Sequence, residues 1–344
     1  MYYKLLRNLL FCLPAEASHD VALRMMNVSR RLRLNSLLSG APVAAEEQKR
    51  VMGLTFANCV GLAAGLDKNA DYIDALAGYG FGFIEVGTLT PRPQPGNSGP
   101  RLFRLRDEQA IINRMGFNNK GIDHAVSRIQ RSRFEGVLGI NIGKNFDTPV
   151  ENAAQDYLTC LRKAFPFAGY ITVNLSSPNT PGLRSLQSGE QFKSLLGALK
   201  EEQAKLGQVH GVHVPLVIKL APDLDESELQ EIADAVLQLE VDGVIATNTT
   251  LGREGVKNSR YADETGGLSG VPLRSRSTEV IKYLARALGD RVPVIGCGGI
   301  FSGGDAREKI EAGAALVQVY TGFIYRGPAL INEIRSVCGS EWRG

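Results

Sequence analysis

The sequence predicts an α/β protein, a (β/α)8 TIM barrel with an N-terminal helical extension, and three observations lead to that prediction. The chain has 344 residues, enough for a barrel of about 250 residues and an appendage. From about residue 58 onward, short apolar runs alternate with helical patterns, as in parallel β/α proteins. The first run is not followed by a G-x-G-x-x-G turn with an acidic residue ~20 positions later, which disfavours a doubly wound open sheet.

Eight short apolar runs are the predicted barrel strands, because strands buried on both faces are continuous and rich in β-branched residues. They cover residues 60–63, 83–86, 137–142, 170–175, 216–220, 243–247, 292–296 and 316–320. Helical patterns lie between several of these runs, at residues 190–206, 226–239, 277–288 and 305–312. Eight such units in series favour a closed parallel barrel.

Residues 1–40 differ from the rest of the chain because they hold six basic and only two acidic side chains. Two amphipathic segments occupy this stretch, and Pro14 separates them. Their apolar positions are Leu5, Leu6, Leu9, Leu10 and Leu13, and then Val21, Met25, Val28 and Leu32. Such a helical hairpin either packs on the main domain or lies among the headgroups of a membrane, and the pattern alone leaves both open. We expect the extension at residues 1–40 and the barrel at residues 41–344.

Composition excludes several classes of protein. A formal net charge of +3 is too weak for a nucleic-acid surface. The five cysteines show no C-x-x-C spacing, which argues against a disulfide framework, a zinc site and a local iron–sulfur cluster, and favours a reducing cytoplasm. No apolar run approaches the ~20 residues that span a bilayer. Lys4 and Arg7 interrupt the first apolar stretch, which is untypical of a signal peptide.

Polar residues and glycines cluster where the predicted strands end, which is where barrel enzymes carry their chemistry. The set is rich in neutral amides and poor in carboxylates and histidines, and its side chains include Lys68, Thr88, Asn141, Asn174, Lys219, Thr247 and Asn248. Such a set suits a planar ligand with imide and amide edges, because an amide donates and accepts at once. The glycines near 298 and 322 fit a phosphate site. Helix caps and ordinary turns are the structural alternatives.

The residues that are missing exclude other chemistries. None of the four histidines, His19, His124, His210 and His213, lies at a strand end, so a Ser-His-Asp hydrolase is not expected. No H-x-H or H-E-x-x-H spacing and no P-loop occurs, and we expect no metal site. A phosphate-binding aldolase or isomerase with Lys68 or Lys219 as a Schiff base stays open, as does a membrane-surface binding module.

Several longer motifs resemble one enzyme family. They are GLAAGLDK at 61–68, GT at 87–88 with PRPQPG at 91–96, INRMGFN at 112–118, GINIGK at 139–144, NLSSPNTPGLR at 174–184 and GGLSG at 266–270. With these motifs the chain resembles the membrane-associated class 2 dihydroorotate dehydrogenases over nearly its whole length. The resemblance implies oxidation of dihydroorotate to orotate in pyrimidine synthesis, with FMN as hydride acceptor and a membrane quinone as final electron acceptor. Another pyrimidine as substrate is the alternative within FMN barrels.

The resemblance also implies roles for single residues. The FMN site would include Ala64, Gly65, Leu66, Asp67, Lys68, Thr88, Asn141, Asn174, Lys219, Thr247, Gly270, Gly299, Tyr320 and Thr321. The substrate site would include Lys68, Asn113, Arg114, Met115, Gly116, Phe117, Asn174, Asn179, Asn248 and Thr249. Ser177 would be the catalytic base, with Thr180 or a water passing its proton outward. The soluble class of the family has cysteine at this position, which is one reason for the class 2 interpretation.

The electron outlet follows from the same resemblance. The chain has no cysteine set for a cluster and no nicotinamide fingerprint, so no iron–sulfur partner subunit is expected. The N-terminal helices would form a quinone tunnel lined by His19, Arg104 and Tyr320. They would also hold the protein peripherally at the cytoplasmic face of the cell (inner) membrane.

Overall fold

Eight parallel strands close into a barrel, which confirms the predicted fold. The structure, a computed structural model, describes residues 2–32, 47–180, 182–187 and 189–341. Within these ranges the strands are β1 (Lys49–Val51), β2 (Leu54–Phe56), β3 (Val60–Leu62), β4 (Phe83–Leu89), β5 (Leu102–Leu105), β6 (Ala110–Asn113), β7 (Val137–Ile142), β8 (Tyr170–Asn174), β9 (Leu216–Leu220), β10 (Gly243–Ala246), β11 (Gly267–Gly270), β12 (Val294–Cys297) and β13 (Ala314–Val319). The barrel order is β3-β4-β7-β8-β9-β10-β12-β13, and β13 pairs with β3.

Helices alternate with the barrel strands as the sequence predicts. They are α1 (Tyr2–Leu10), α2 (Ala15–Arg31), α3 (Ile73–Ala77), α4 (Ile122–Ile129), α5 (Ala153–Ala164), α6 (Gly189–His210), α7 (Glu226–Gln238), α8 (Arg274–Leu288), α9 (Gly303–Glu311), α10 (Thr321–Arg326) and α11 (Pro328–Glu341). Two of them begin at side-chain caps, where Asp225 accepts a hydrogen bond from the Glu228 N–H and Ser302 from the Asp305 N–H. None of the described helices is long and apolar enough to cross a membrane.

The eight predicted strands are all present, and differences are confined to their ends. β4 continues to Leu89 because Leu89 still pairs with Ile142 of β7. β12 begins at Val294, two residues later than expected, since Pro293 has no N–H to donate and only its carbonyl joins the ladder, accepting from Val244. Strand interiors therefore follow from the apolar runs, while pairing across the barrel decides where each strand stops.

Large aromatic rings fill the barrel interior, and glycines make room for them. Phe83 and Tyr170 are fully buried, and their ring centroids are 6.3 Å apart. A Cβ at Gly61 would lie 2.3 Å from the Phe83 ring, and a Cβ at Gly139 would lie 2.3 Å from the Tyr170 ring. Because the interior is packed with side chains, a ligand can enter the barrel only at its mouth.

Two small sheets outside the barrel were not predicted from the sequence. β1 and β2 form an antiparallel hairpin, and Phe56 of this hairpin packs on Phe83 at the amino-terminal end of the barrel. β5, β6 and β11 form an antiparallel sheet near the opposite end. In it Asn113 of β6 pairs with Leu102 of β5 and with Gly267 of β11. β1 pairs with β2 and β5 with β6 across short turns, and only β11 pairs with a strand distant in sequence, β6.

The two predicted N-terminal helices are α1 and α2, with Pro14 immediately before α2. They pack against the barrel through polar contacts: the Tyr3 hydroxyl donates to the Ile324 carbonyl at 2.7 Å, and Arg7 donates to the Tyr325 carbonyl at 2.9 Å. Other side chains of the hairpin stay exposed, among them Leu5, Leu9, Leu13, Met25, Val28 and Leu32. The expected boundary between residues 40 and 41 lies outside the described residues.

A Gly139→Ala substitution tests the packing of the barrel interior. We expect it to lower the free energy of unfolding by about 1–3 kcal/mol, because the added methyl overlaps the buried Tyr170 ring. Gly197→Ala in α6 is the control, since a Cβ there meets nothing within 4 Å. Alanine in a helix interior stabilises by up to about 1 kcal/mol relative to glycine. Thermal unfolding of the two variants measures both changes, and equal midpoints would contradict this account of the interior.

Candidate active site

A cleft with a volume of about 1040 Å³ opens at the carboxyl ends of the barrel strands. Most residues expected at a cofactor or substrate site line it, although they are far apart in sequence. They are Ala64, Gly65, Lys68, Thr88, Asn113, Met115, Gly116, Phe117, Asn174, Ser177, Asn179, Lys219, Thr247, Asn248, Thr249, Gly270, Gly299, Tyr320 and Thr321. The cleft therefore collects side chains from the ends of the barrel strands and from the β5-β6-β11 sheet beside them.

Four of the expected residues do not line the cleft. The Asp67 carboxylate accepts hydrogen bonds from the N–H groups of Asn69, Asp71 and Tyr72 at 2.7–3.3 Å, so it shapes the loop after β3. Burial raises the pKa of Asp67 to about 6. Leu66 faces a second cavity instead.

The other two are Arg114 and Asn141. The Arg114 guanidinium donates to Glu264 at 2.6 Å and lies 4.7 Å over the Phe103 ring, so this side chain belongs to the antiparallel sheet. Asn141 is fully buried beneath the cleft and donates through Nδ2 to Glu85 at 2.8 Å.

Amide and hydroxyl side chains at the mouth form a continuous hydrogen-bonded chain. Thr88 Oγ1 donates to Asn141 Oδ1 at 2.6 Å and accepts from Asn174 Nδ2 at 2.9 Å. Asn248 Nδ2 donates to Asn174 Oδ1 at 3.3 Å and to Ser176 Oγ at 2.9 Å. These contacts hold neutral donors and acceptors at fixed places, as recognition of a planar heterocycle requires.

Two lysines supply positive charge to the cleft. Lys219 is 5 % exposed, and within the described residues its Nζ has no hydrogen-bond partner. Burial lowers the pKa of Lys68 to about 8, although the nearby Glu16 carboxylate opposes this shift. A buried ammonium group without a protein partner is costly, so an anionic or carbonyl-bearing ligand is the natural partner for both lysines.

The loops after β12 and β13 also meet at the cleft. Gly298 and Gly299 have φ angles of +124° and +73°, and such positive values favour glycine. Ser269 Oγ and Thr321 Oγ1 lie 2.8 Å apart, which joins the end of β11 to the start of α10. Hydroxyls and closely approachable backbone at the last two strands are the features that bind phosphate in many barrels.

Ser177 lines the cleft and is 5 % exposed. Its Oγ accepts a hydrogen bond from the Asn179 N–H at 3.2 Å. The Ser177 hydroxyl therefore also stabilises an ordinary turn, which is the structural alternative to a catalytic role. The turn fixes the Oγ position and leaves the hydroxyl proton free to donate elsewhere. Thr180, the expected relay, is buried and does not line the cleft.

A second cavity of about 680 Å³ lies between the N-terminal helices and the barrel. His19, Arg104 and Tyr320, the residues expected along a tunnel, line it together with many apolar side chains. Tyr320 and Leu66 come from barrel strand ends, and Tyr320 also lines the cleft. The two cavities therefore share one side chain as a common wall.

The surrounding protein fixes the charge of one polar side chain in the second cavity, His19, and the position of another, Arg104. Burial, and to a smaller extent the charge of the neighbouring Lys68, lowers the pKa of His19 to about 3, so the imidazole is neutral at pH 7. Arg104 donates to the carbonyls of Leu10 and Leu13 and lies 4.5 Å over the Phe11 ring. Arg104 therefore fixes the turn between α1 and α2 to β5.

Several cleft residues were missed from the sequence, including Gln318, Ser269 and Cys297. Gln318 lies inside the predicted run 316–320, and Cys297 immediately follows the predicted run 292–296. Ser269 lies on β11, a strand that the apolar runs did not reveal. A polar residue inside an otherwise apolar strand was the one available signal for Gln318.

The fold and the cleft together define a TIM-barrel enzyme with a polar, lysine-bearing cleft at the carboxyl ends of its strands. Comparison with known proteins specifies the family. The family described as dihydroorotate dehydrogenase matches residues 47–339. A dihydroorotate dehydrogenase (quinone) of Cellvibrio japonicus (strain Ueda107) is 58% identical over 342 residues, 99% of each chain. One of Ectopseudomonas mendocina (strain ymp) is 59% identical over 331 residues, 96% of this chain and 97% of the relative.

Solved structures agree with the sequence relatives. The crystal structure of DHODH from Eimeria tenella in complex with ferulenol has a TM-score of 0.85 and 39% identity, covering 93% of this chain and 89% of that one. The ligand-free form from the same organism has a TM-score of 0.83 and 40% identity, covering 92% and 93%. The chain belongs to the dihydroorotate dehydrogenase family.

His19 gives the stability of the protein a predictable pH dependence. Its folded-state pKa of about 3 is below the ordinary value of 6.5, so between these values the unfolded chain binds more protons and stability falls as the pH falls. By linkage, the loss in free energy of unfolding that His19 causes amounts to about 1–2 kcal/mol at pH 5. We expect wild type to lose more thermal stability between pH 7 and pH 5 than His19→Gln. Parallel curves for the two proteins would contradict the buried neutral imidazole.

Proposed function

We propose that the cleft oxidises dihydroorotate to orotate with FMN as hydride acceptor, and that a membrane quinone entering the second cavity takes the electrons. The family is flavin-dependent, and its activity is an oxidoreductase step of pyrimidine biosynthesis. The observation that carries the proposal is the junction at Tyr320, where the polar cleft and the apolar cavity share a wall. One side suits a charged pyrimidine and the other a lipid-soluble oxidant.

The residues present fit an FMN group. The unpartnered ammonium of Lys219 and the amides at the mouth suit the imide edge of an isoalloxazine ring. The hydroxyl of Thr321 and the backbone around Gly299 suit its phosphate. We assign the remaining cofactor positions as in the sequence expectations, with Asn141 acting through the side chains it holds. FMN supplies hydride acceptance at its ring and electron transfer to the quinone.

The chain's own groups handle the substrate. Asn174, Asn248 and Thr249 present amide, carbonyl and hydroxyl groups to the pyrimidine, and Lys68 presents positive charge. Ser177 Oγ, fixed by the Asn179 N–H, is the proposed base for the C5 proton of dihydroorotate. Loss of that proton builds negative charge on the adjacent carbonyl oxygen, which a lysine or amide donor stabilises. Because Thr180 does not line the cleft, an ordered water is the simpler proton relay.

We propose that residues 1–40 form the membrane and quinone extension and that residues 41–344 form the FMN barrel. Leu5 and Leu9 of α1 are 59% and 70% exposed, and Val28 and Leu32 near the end of α2 are 54% and 63% exposed. These apolar side chains, with Lys4 and Arg24 nearby in sequence, suit insertion among anionic headgroups. The helices would then bring the mouth of the second cavity to the acyl chains, at the cytoplasmic face of the membrane.

Ser177→Ala tests the assignment of the base. We expect the variant to retain FMN but to be reduced by dihydroorotate several orders of magnitude more slowly, measured by flavin absorbance in anaerobic stopped flow. Ser185→Ala is the matched control, because Ser185 bonds only within its own turn, to the Gly182 carbonyl. Near-normal reduction of the Ser177 variant would mean that another group takes the proton. Wild type that lacks a flavin spectrum would contradict the proposed function.

Leu9→Glu tests the membrane face. We expect it to weaken binding to phosphatidylethanolamine–phosphatidylglycerol vesicles at least tenfold, since burial of a leucine side chain is worth about 1.5–3 kcal/mol. Reduction of a long-chain quinone in those vesicles should fall in parallel, while flavin reduction by dihydroorotate stays unchanged. Val209→Glu is the control, because Val209 is 78% exposed on α6, outside the N-terminal helices. Equal vesicle binding by both variants would contradict the proposed extension.

A further inference from the structure

We infer that Glu85 is a positioning residue: its buried carboxylate fixes the direction of the hydrogen-bonded chain through Asn141, Thr88 and Asn174, and so decides which amide atoms the cleft presents to its ligands. The inference rests on the proposed function for the identity of those ligands. It adds a residue that neither touches the cleft nor belongs to the motifs that define it.

Glu85 lies in the middle of β4 and is fully buried inside the barrel. Its Oε1 accepts from Asn141 Nδ2 at 2.8 Å. Its Oε2 accepts from the Tyr170 hydroxyl at 2.9 Å and from Gln318 Nε2 at 2.7 Å. Three neutral donors thus converge on one carboxylate, which has enough acceptor sites for all of them.

The carboxylate sets the orientation of the first amide. Because both Glu85 carboxylate oxygens face donors, Asn141 turns its NH2 group toward Glu85 and its Oδ1 toward the mouth. That Oδ1 then accepts a hydrogen bond from the Thr88 hydroxyl at 2.6 Å. Because the hydroxyl hydrogen of Thr88 is engaged with Asn141, the Thr88 oxygen accepts a hydrogen bond from Asn174 Nδ2 at 2.9 Å. Asn174 Nδ2 also donates directly to Asn141 Oδ1 at 3.3 Å, so Asn141 acts on Asn174 both directly and through Thr88.

The other end of the chain has the opposite character. The Thr249 N–H, which only donates, bonds Asn248 Oδ1 at 2.8 Å. Asn248 therefore turns Nδ2 toward Asn174 Oδ1, at 3.3 Å. Every proton in the chain points from Thr249 toward Glu85, so a pure donor and a pure acceptor at the two ends impose one direction on all members.

Gln318 shows that the carboxylate dominates the orientation of the amides around it. Gln318 Nε2 donates to Glu85 and to the Tyr170 hydroxyl at 3.2 Å. Its Oε1 is buried and has no hydrogen-bond partner among the described residues. The amide thus leaves one oxygen unsatisfied in order to direct its NH2 group at Glu85, although an unpaired buried acceptor is unfavourable.

A Glu85→Gln substitution has nearly the same shape but removes the pure acceptor. Glutamine places an NH2 group opposite either Asn141 or Gln318, so a donor faces a donor in both orientations. If Asn141 reverses, Thr88 loses its fixed direction, and the Asn141 NH2 group faces Asn174 Nδ2, whose amide is still held by the Ser176 N–H on Oδ1. This clash of donors displaces the atoms that the cleft presents to a bound pyrimidine. Tyr170→Phe is the matched control, because it removes one donor from the same carboxylate without touching the chain.

The test compares FMN-loaded wild type, Glu85→Gln, Tyr170→Phe, Thr88→Val and the Glu85→Gln/Thr88→Val double variant. The dissociation constant of orotate is measured from its effect on the flavin absorption spectrum, beside KM, kcat and the unfolding midpoint. We expect Glu85→Gln to raise the orotate dissociation constant and the KM for dihydroorotate about tenfold, the loss typical of one hydrogen bond to a charged group. Tyr170→Phe should change the orotate dissociation constant and the KM less than twofold, even if its unfolding midpoint falls as much as that of Glu85→Gln.

The double variant distinguishes positioning from general destabilisation. If Glu85 acts through the chain of hydrogen bonds, Glu85→Gln and Thr88→Val together cost less than the product of their separate losses. Additive losses, or equal losses in Tyr170→Phe, overturn the inference. If Glu85→Gln does not fold, Asn141→Ser replaces it, since it cuts the chain and leaves the carboxylate two donors. Wild type that binds no orotate contradicts the proposed function, and the same cycle is then read from the dissociation constant of FMN.

Discussion

Closure of the parallel sheet is the constraint on which the other features of this protein depend. Closing eight strands turns a linear series of strand ends into a ring, so that Lys68 near one end of the chain and Tyr320 near the other line the same cleft. The interior is filled by rings such as Phe83 and Tyr170, which fit only because glycines stand opposite them. A packed interior restricts ligands to the mouth, and the mouth is where the polar residues lie.

The electrostatics of the mouth follow from burying polar groups in a packed fold. Amides and hydroxyls there satisfy one another in a single directed chain, and that chain ends on the buried Glu85 carboxylate. Among the residues that the structure describes, the buried Lys219 has no hydrogen-bond partner. A site of this kind is organised before a ligand arrives, so binding does not require reorganisation of its dipoles.

The N-terminal helices form an apolar cavity beside the same ring of strand ends. Their inward side is held by Arg7, by Arg104 and by the ion pair of Arg101 with Glu16 at 2.6 Å. Their outward side exposes leucines, and an apolar cavity remains between the helices and the barrel. Because Tyr320 borders both cavities, a water-soluble reductant and an apolar oxidant can be kept apart and still be served by one cofactor.

The sequence by itself determined the eight strands, four of the helices between them, the amphipathic N-terminal pair and most residues of the cleft. The strands and helices depend on local periodicity, which short stretches of chain carry completely. Most residues of the cleft were expected from the resemblance of longer motifs to one enzyme family. The tertiary structure alone decided the β5-β6-β11 sheet, the turning of Arg114 toward Glu264 and the use of Asp67 as a backbone cap. It also revealed Gln318 in the cleft and Glu85 beneath it. The pairing of β11 with β6 and the contacts of Arg114 with Glu264 and of Glu85 with Gln318 join groups distant along the chain, and such pairing leaves no periodic pattern in the sequence. Asp67 instead caps N–H groups of its own loop, a local arrangement that periodicity does not report either.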